Sequence, residues 1–307
     1  DERLATWDAP SRRSEPPAGD RGASVGCGDA LLQWVQAQML RYSAGPRASP
    51  AMAATALLPR EPPPSRLTTG YWKFRGLGAP LRMMCSYAGV AEHEDVKYEV
   101  WQRPRGSGWI APEWERRHKP KLRDQNAFAQ LPYVLNGDTG ELVVGSLAAY
   151  SYLGRSLGLC GSTQREQTDC EQVVFYVHTM QMEFSDLCYP FKGNKDQARF
   201  VESVAQHFEV AIPSHYKKFE GWLQGRPGDW PPFFAARNPC VADFVVWEVV
   251  DQNEALAGAY DIPSPLADFE ALGAHYERFR SLPRLAQYFA SADATLPVNN
   301  KMAFALT

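Results

Sequence analysis

The chain has 307 residues, of which 45% are hydrophobic and 22% charged, the composition of a globular protein with ample material for a core. Lys and Arg number 32 against 35 Asp and Glu, a formal net charge of −3, so nothing electrostatic points to nucleic acid or an anionic membrane as main partner. No stretch reaches the roughly 18 uninterrupted apolar residues of a membrane span.

Residues 1–66 differ from the rest of the chain. They hold nine of the 24 prolines and eight arginines, and the first lysine of the chain is Lys73. Pro62-Pro63-Pro64 favours extended polyproline geometry. One apolar island, Leu31 to Leu40, reads as a short helix capped by Asp29 in a low-order tail. The abundance of Arg, Ser and Ala suggests a transit peptide, but the seven acidic residues argue against it. The chain begins with Asp1, and Met52 is a candidate initiation site, with the residues before it a processing or gene-model remnant.

From Leu67 the pattern is that of a packed domain. Leu67 to Lys73 reads as a strand. Gly76-Leu-Gly-Ala-Pro80 turns into a helix over 80–88, with Pro80 in its first turn. Val96 to Val100 alternates as a second strand. Gln102 to Ile110 reads as a loop, and 113–123 as a short basic helix. Tyr133–Asn136 and Leu142–Val144 form a hairpin around Gly137-Asp-Thr-Gly140. Ser146 to Leu157 is a helix that ends at Gly158. After Ser162 every segment reads as helical: 164–189, 196–224, a helix opened by Asn238-Pro239, and two more near 266–280 and 283–290. The expected architecture is an α/β part of β-α-β-α-β-β-α order over 67–159, then an all-helical part over 162–307, both behind a disordered extension.

The six cysteines, Cys27, Cys85, Cys160, Cys170, Cys188 and Cys240, are scattered. None forms a C-x-x-C pair or sits at zinc-site spacing from a histidine. They read as free thiols in a reducing, cytoplasmic setting. The six histidines are equally dispersed, so no metal is expected.

Several segments in register carry a family resemblance. Tyr71-Trp72-Lys-Phe-Arg-Gly76-Leu77 closely resembles the first strand and turn of mu-class glutathione transferases. Leu131-Pro132-Tyr133-Val134, Ser146 through Gly161, Leu187-Cys188-Tyr189-Pro190, Asp243-Phe244 and Leu296 through Ala303 follow the same family in order. The resemblance spans about residues 67 to 304. It implies a thioredoxin-like N-terminal domain plus an all-α C-terminal domain, the glutathione transferase fold, acting as a homodimer.

It also implies a chemistry. Glutathione transfer needs a thiolate near pH 7, yet a free thiol has a pKa of about 8.5. A fixed hydroxyl donor aimed at the sulfur depresses that value. Tyr71, at the end of the first strand, takes that role in the resemblance; taken alone, it reads equally as a core aromatic. No cysteine stands at this turn, which argues against disulfide exchange. Pro132 matches the family's cis-proline, so that Leu131 would pair with the cysteinyl backbone of glutathione. Ser146, at a helix start, would receive the γ-glutamyl carboxylate. Trp72, Leu77, Trp114, Gln130 and Gly145 complete the implied glutathione contacts. Lys119 and Lys121 are equal candidates for the basic contact to its glycine end, with His118 behind them.

Two departures stand out. Gly145 lies where many family members carry Gln or Glu, and Thr179 lies where an acidic residue would reach the partner subunit's glutathione. Each loss weakens binding by about 1.5–3 kcal/mol if uncompensated. Tyr189 matches a tyrosine that donates to the electrophile's developing oxyanion, Leu77, Met180 and Phe304 are candidate apolar walls, and the loop from Trp101 to Ile110 should flank the site. The expected function is a glutathione S-transferase that joins reduced glutathione to small hydrophobic electrophiles in detoxification. A non-catalytic ligand- or protein-binding member on the same fold is the alternative, and isomerase or peroxidase side chemistry would share the same thiolate.

Overall fold

The computed structural model describes residues 62–307, except 107, 192–195, 227 and 229–232. The expectations for residues 1–61, including the helix over 31–40, lie outside the described residues. Strand β1 (Arg66–Trp72) buries Leu67 and the run Thr69 to Tyr71. It pairs in parallel with β2 (Glu92–Tyr98), with Tyr71 opposite Lys97. A parallel neighbour requires a crossover, and helix α1 (Ala79–Ala88) supplies it.

β2 begins four residues earlier than its alternation suggests. It is the edge strand of the sheet, and Glu92 to Asp95 are polar because their partners are polar. Thr68 donates to Glu94 at 3.1 Å, and Thr69 meets the His93 ring nitrogen at 2.8 Å. Arg82 Nε donates to Asp95 at 2.7 Å. The expected loop over 102–110 is instead a small hairpin, β3 (Trp101–Gln102) against β4 (Trp109–Ile110), closed by Gly106 and Gly108 at positive φ. Strands β5 (Tyr133–Asn136) and β6 (Leu142–Val144) add antiparallel to β1, giving the sheet order β2-β1-β5-β6.

A wide π-turn over Glu113–His118 leads into α2 (Lys119–Gln125), and a second over His207–Ala211 joins α5 (Gln197–Gln206) to α6 (Ile212–Gln224). Each wide turn precedes a proline in second position, Pro120 or Pro213. Proline offers no N–H and crowds the carbonyl four residues back, and a wider turn relieves both. α3 (Ser146–Leu157) ends at Gly158 with φ 73°. α4 (Gln164–Cys188) opens with a reciprocal cap between Thr163 and Glu166.

α7 (Val241–Ala259) is the central helix and buries residues on every side, from Phe244 and Val246 to Asn253 and Leu256. It starts at Val241, two residues after the expected Pro239. The side chain that fixes this start is Asp243. It accepts from the backbone N–H of Cys240 at 2.8 Å and of Phe234 at 2.9 Å, and its Oδ1 meets the His275 ring at 3.1 Å. α8 (Glu270–Arg280) and α9 (Ala286–Phe289) close the helical part.

Residues 60–307 form one unit. A single core runs from Leu67 and Met84 beneath the sheet to Phe244 and Leu256 in α7. A smaller cluster on the sheet's other face joins Tyr98, Val100, Ala111, Trp114 and Tyr133. The five described cysteines are free thiols, four of them buried. Among the described residues no helix is long and apolar enough to cross a membrane.

Asp243→Ala leaves two buried N–H groups unpaired at the start of the central helix. The substitution should lower the unfolding free energy by about 3 kcal/mol in a urea titration. A loss below about 1 kcal/mol would contradict this account of the helix start.

Candidate active site

Tyr71 is the second-to-last residue of β1 and is 7% exposed. Its ring packs on Phe74, with centroids 5.2 Å apart. Gly78 allows the following turn to close over it: a Cβ at that position would stand 2.6 Å from Tyr71 Cδ1. Burial pushes the Tyr71 phenol up to about 12, against the opposing pull of the Leu77 N–H and of Arg82. Tyr71 therefore keeps its proton throughout the neutral range, which leaves its hydroxyl able to donate a hydrogen bond.

The turn from Lys73 to Gly78 is held from several directions. The N–H groups of Arg75 and Gly76 donate to the carbonyls of Pro297 (2.8 Å) and Val298 (3.2 Å) in the C-terminal segment. Tyr150 Oη donates to the Leu77 carbonyl at 2.7 Å. Gln252 Nε2 donates to the Gly76 carbonyl at 3.1 Å. The Arg75 guanidinium bonds both oxygens of buried Glu248, at 3.1 and 2.9 Å, and Asp251 at 2.6 Å. Burial pushes the Glu248 carboxyl above the usual carboxylate range although Arg75 pulls it back, and Glu248 and Asp251 together keep Arg75 charged.

Beside Tyr71 lies a cavity of about 520 Å³. Trp72, Gly76 and Leu77 form one wall, Trp109 and Ile110 of the small hairpin another, and Met182, Ser185 and Tyr189 a third. Asn300 and Met302 contribute from the C-terminal segment. The Tyr189 hydroxyl accepts from the Asn300 N–H at 3.1 Å, and its ring stacks on Phe191. Burial raises the Tyr189 phenol, so its proton too is retained.

Not every predicted wall residue faces this space. Met180 is 2% exposed and belongs to the core, while Met182, two positions on, faces the cavity. Phe304 stacks on Phe200, centroids 5.2 Å apart, and Met302 of the same segment takes the wall position. Sequence spacing shows that α4 is amphipathic but does not reveal which of its neighbouring methionines meets the gap between sheet and helices.

A second group of predicted residues assembles where β5 begins and α3 starts, and none of them lines this cavity. The Leu131–Pro132 peptide is cis. The Pro132 carbonyl accepts from the Gly145 N–H at 2.8 Å, and the pairing of Gly70 with Tyr133 connects this corner to β1. Gly145 has φ 89° and ψ 143°, a conformation that a residue with a side chain rarely adopts. The Gln130 amide fills the space beside it, 3.1 Å from where a Cβ would stand. Ser146 is the first residue of α3.

Trp114 is buried between the rings of Tyr98 (5.2 Å) and Tyr133 (6.4 Å) and lies off the cavity wall. Lys119 places its ammonium 5.9 Å from the Trp114 ring centre, whereas Lys121 is exposed on α2. The His118 ring is engaged with the Tyr98 hydroxyl at 2.7 Å. Thr179 is exposed on α4. Sequence reasoning missed Gln252 and the ion pair behind it. The available signal was three polar residues, Glu248, Asp251 and Gln252, three and four apart on one face of an otherwise apolar helix. Among the described residues no group of three or more His, Cys, Asp or Glu could hold a metal ion.

The model of the family "Glutathione S-transferase, C-terminal domain" matches residues 179–292. The chain is 28% identical over 228 residues to glutathione S-transferase Mu 1 of Oryctolagus cuniculus, covering 74% of this chain and 91% of that protein. It is 27% identical over 242 residues to glutathione S-transferase Mu 3 of Homo sapiens, covering 78% and 95%. Among solved structures, the pi-class glutathione S-transferase of Onchocerca volvulus shares the fold at a TM-score of 0.59 and 21% identity, over 77% of this chain and 99% of that one. The glutathione S-transferase Blo t 8 does so at 0.61 and 20%, over 78% and 100%.

Arg75→Met leaves Glu248, whose side chain is 0% exposed, buried without its cation. It should cost about 3–5 kcal/mol of stability by chemical denaturation. Replacing Glu248 as well, by Gln, should recover part of that loss; a double variant no more stable than Arg75→Met would contradict the assignment.

Proposed function

We propose that this chain, whose sequence and fold are those of a glutathione S-transferase, conjugates the thiolate of reduced glutathione to small hydrophobic electrophiles. One observation carries the reading: a buried tyrosine that keeps its proton at neutral pH, set at the edge of a largely apolar cavity. A thiol with a pKa of about 8.5 is mostly protonated at pH 7. The Tyr71 hydroxyl, donating to the sulfur, stabilises the thiolate and releases the thiol proton to solvent. The sulfur lone pair then attacks the electrophilic carbon. The displaced group leaves with the bonding electrons, or the charge collects on an oxygen that Tyr189 serves as donor.

The main chain of Leu131 after Gln130, the cis Pro132, and the start of α3 at Gly145 and Ser146 are assigned to the tripeptide. Trp72, Leu77 and one of Lys119 or Lys121 flank it, with Trp114 supporting this wall from beneath. Met182, Ile110 and Trp109 are assigned to the electrophile in place of Met180. Residues 67–159 then form the glutathione-binding domain and 162–307 the helical domain. The mu-class names of the rabbit and human relatives support a place near that class. The free thiols favour a cytoplasmic setting, and broad electrophile conjugation fits detoxification. Phe128 and Phe175, 80% and 65% exposed, favour burial against a second copy in a homodimer.

Tyr71→Phe should raise the pKa of bound glutathione and lower turnover of a generic aryl halide by about 10²-fold, while the protein is still retained on a glutathione column. An unchanged thiolate titration would sink the assignment. Phe128→Ser should shift sedimentation from dimer toward monomer; an unaltered dimer would remove Phe128 from the interface.

A further inference from the structure

We infer that Gln252 is a positioning residue for Tyr71 and acts through the peptide unit that joins Gly76 to Leu77. This rests on the transferase reading of the site.

Gln252 lies on α7 and is 5% exposed. Its amide nitrogen makes two donations, to the Gly76 carbonyl at 3.1 Å and to Glu248 Oε1 at 2.7 Å. A primary amide has two N–H groups, and both are used. The opposite amide orientation would set its oxygen against a carbonyl and a carboxylate, so the partners fix which end is nitrogen. Glu248 is in turn held by Arg75, which belongs to the same turn as Gly76. The ring Arg75, Glu248, Gln252, Gly76 is therefore closed, and α7 and the turn cannot slide past one another without breaking it.

The Gly76 carbonyl and the Leu77 N–H belong to one planar, conjugated peptide. A donor on that oxygen draws electron density from the nitrogen and makes its N–H a stronger donor. This main chain lies against the Tyr71 hydroxyl: a Cβ on Gly76 would stand 3.0 Å from Tyr71 Oη. The Leu77 N–H acts on that oxygen and favours its negative form. With this peptide packed beside the phenol oxygen, a stronger Leu77 N–H makes the Tyr71 hydroxyl the better donor, and that is the route by which Gln252 reaches the sulfur. Tyr150, bonded to the Leu77 carbonyl at 2.7 Å, fixes the next peptide and keeps the segment from swinging out.

Gln252→Met keeps the volume and removes both donors. In the full chain it should raise the apparent pKa of bound glutathione. The rate of conjugating an aryl halide should then fall about fivefold at slightly acid pH, with the loss closing at alkaline pH. In a Tyr71→Phe background the same change should leave the thiol titration where Tyr71→Phe alone puts it. A loss equal at every pH, or a titration shift as large without the Tyr71 hydroxyl, would overturn the proposal. Gln252→Glu, of the same shape, should act in the same direction and serves if the methionine variant fails to fold. A second readout needs no glutathione. In protein labelled with 15N-leucine, the Leu77 amide proton should move upfield in either variant, and an unmoved resonance overturns the hydrogen-bond chain. Absence of turnover in the unmodified protein would overturn the transferase reading alone, and the Leu77 resonance would still decide the chain.

Discussion

The buried ion pair between Arg75 and Glu248 constrains everything around the site. Glu248 is shut off from water and Arg75 nearly so, so the pair holds only while the turn after β1 lies on α7. Such a pair adds little stability over an apolar contact of equal volume, but its directional bonds admit one arrangement where an apolar contact admits many. α7 is itself fixed at its start by Asp243, which binds the chain at Phe234 and Cys240. The position of Tyr71 is thus tied to the helical core through the Arg75 guanidinium, with the Gln252 amide beside it.

A second arginine secures the same turn from the opposite side. Arg82, on α1, donates to the carbonyls of Phe74 (3.0 Å) and Trp72 (3.3 Å) and to Asp95 on β2. Burial works to raise the Asp95 carboxyl, but Arg82 and Lys97 outweigh it and hold it below the usual carboxylate range. A carboxyl depressed on folding stabilises the protein above its unfolded pKa and loses that contribution as the pH falls through the folded value. The anchor is therefore intact at neutral pH and weakens only in acid. These two clamps hold the main chain of residues 74–78 through protein groups alone, so binding need not order it.

Much of this was legible in the residues. Pro80 in a first helical turn, Gly158 after an apolar helix and the hairpin around Gly137 each carry local chemistry that fixes a boundary, and the elements fall there within one residue. What escaped was set by distant partners. The first half of β2 reads as polar coil because its side chains are matched by Thr68, Thr69 and Arg82 across space. Asn238-Pro239 has the composition of a helix start, yet the carboxylate that captures the free N–H groups is Asp243. Within the site, Tyr71 is visible because it stands next to the end of a strand before a glycine turn. Gln252 is hidden 176 positions beyond Gly76, and only packing α7 against that turn brings the two together.

The cavity wall is drawn from the turn after β1, the small hairpin, α4, α7 and the C-terminal segment. Any occupant touches parts of the chain that lie far apart in sequence and adds a further link between them. It would then work as a thermodynamic crosslink: a ligand bound by the folded form alone adds about 2.7 kcal/mol at a hundredfold excess over its Kd. That gain is not local to the pocket. Sheet and helices must both stay in place to keep the occupant, so it couples their unfolding into a single event. Heating in the presence of a filling ligand thus measures how firmly two differently built halves are joined.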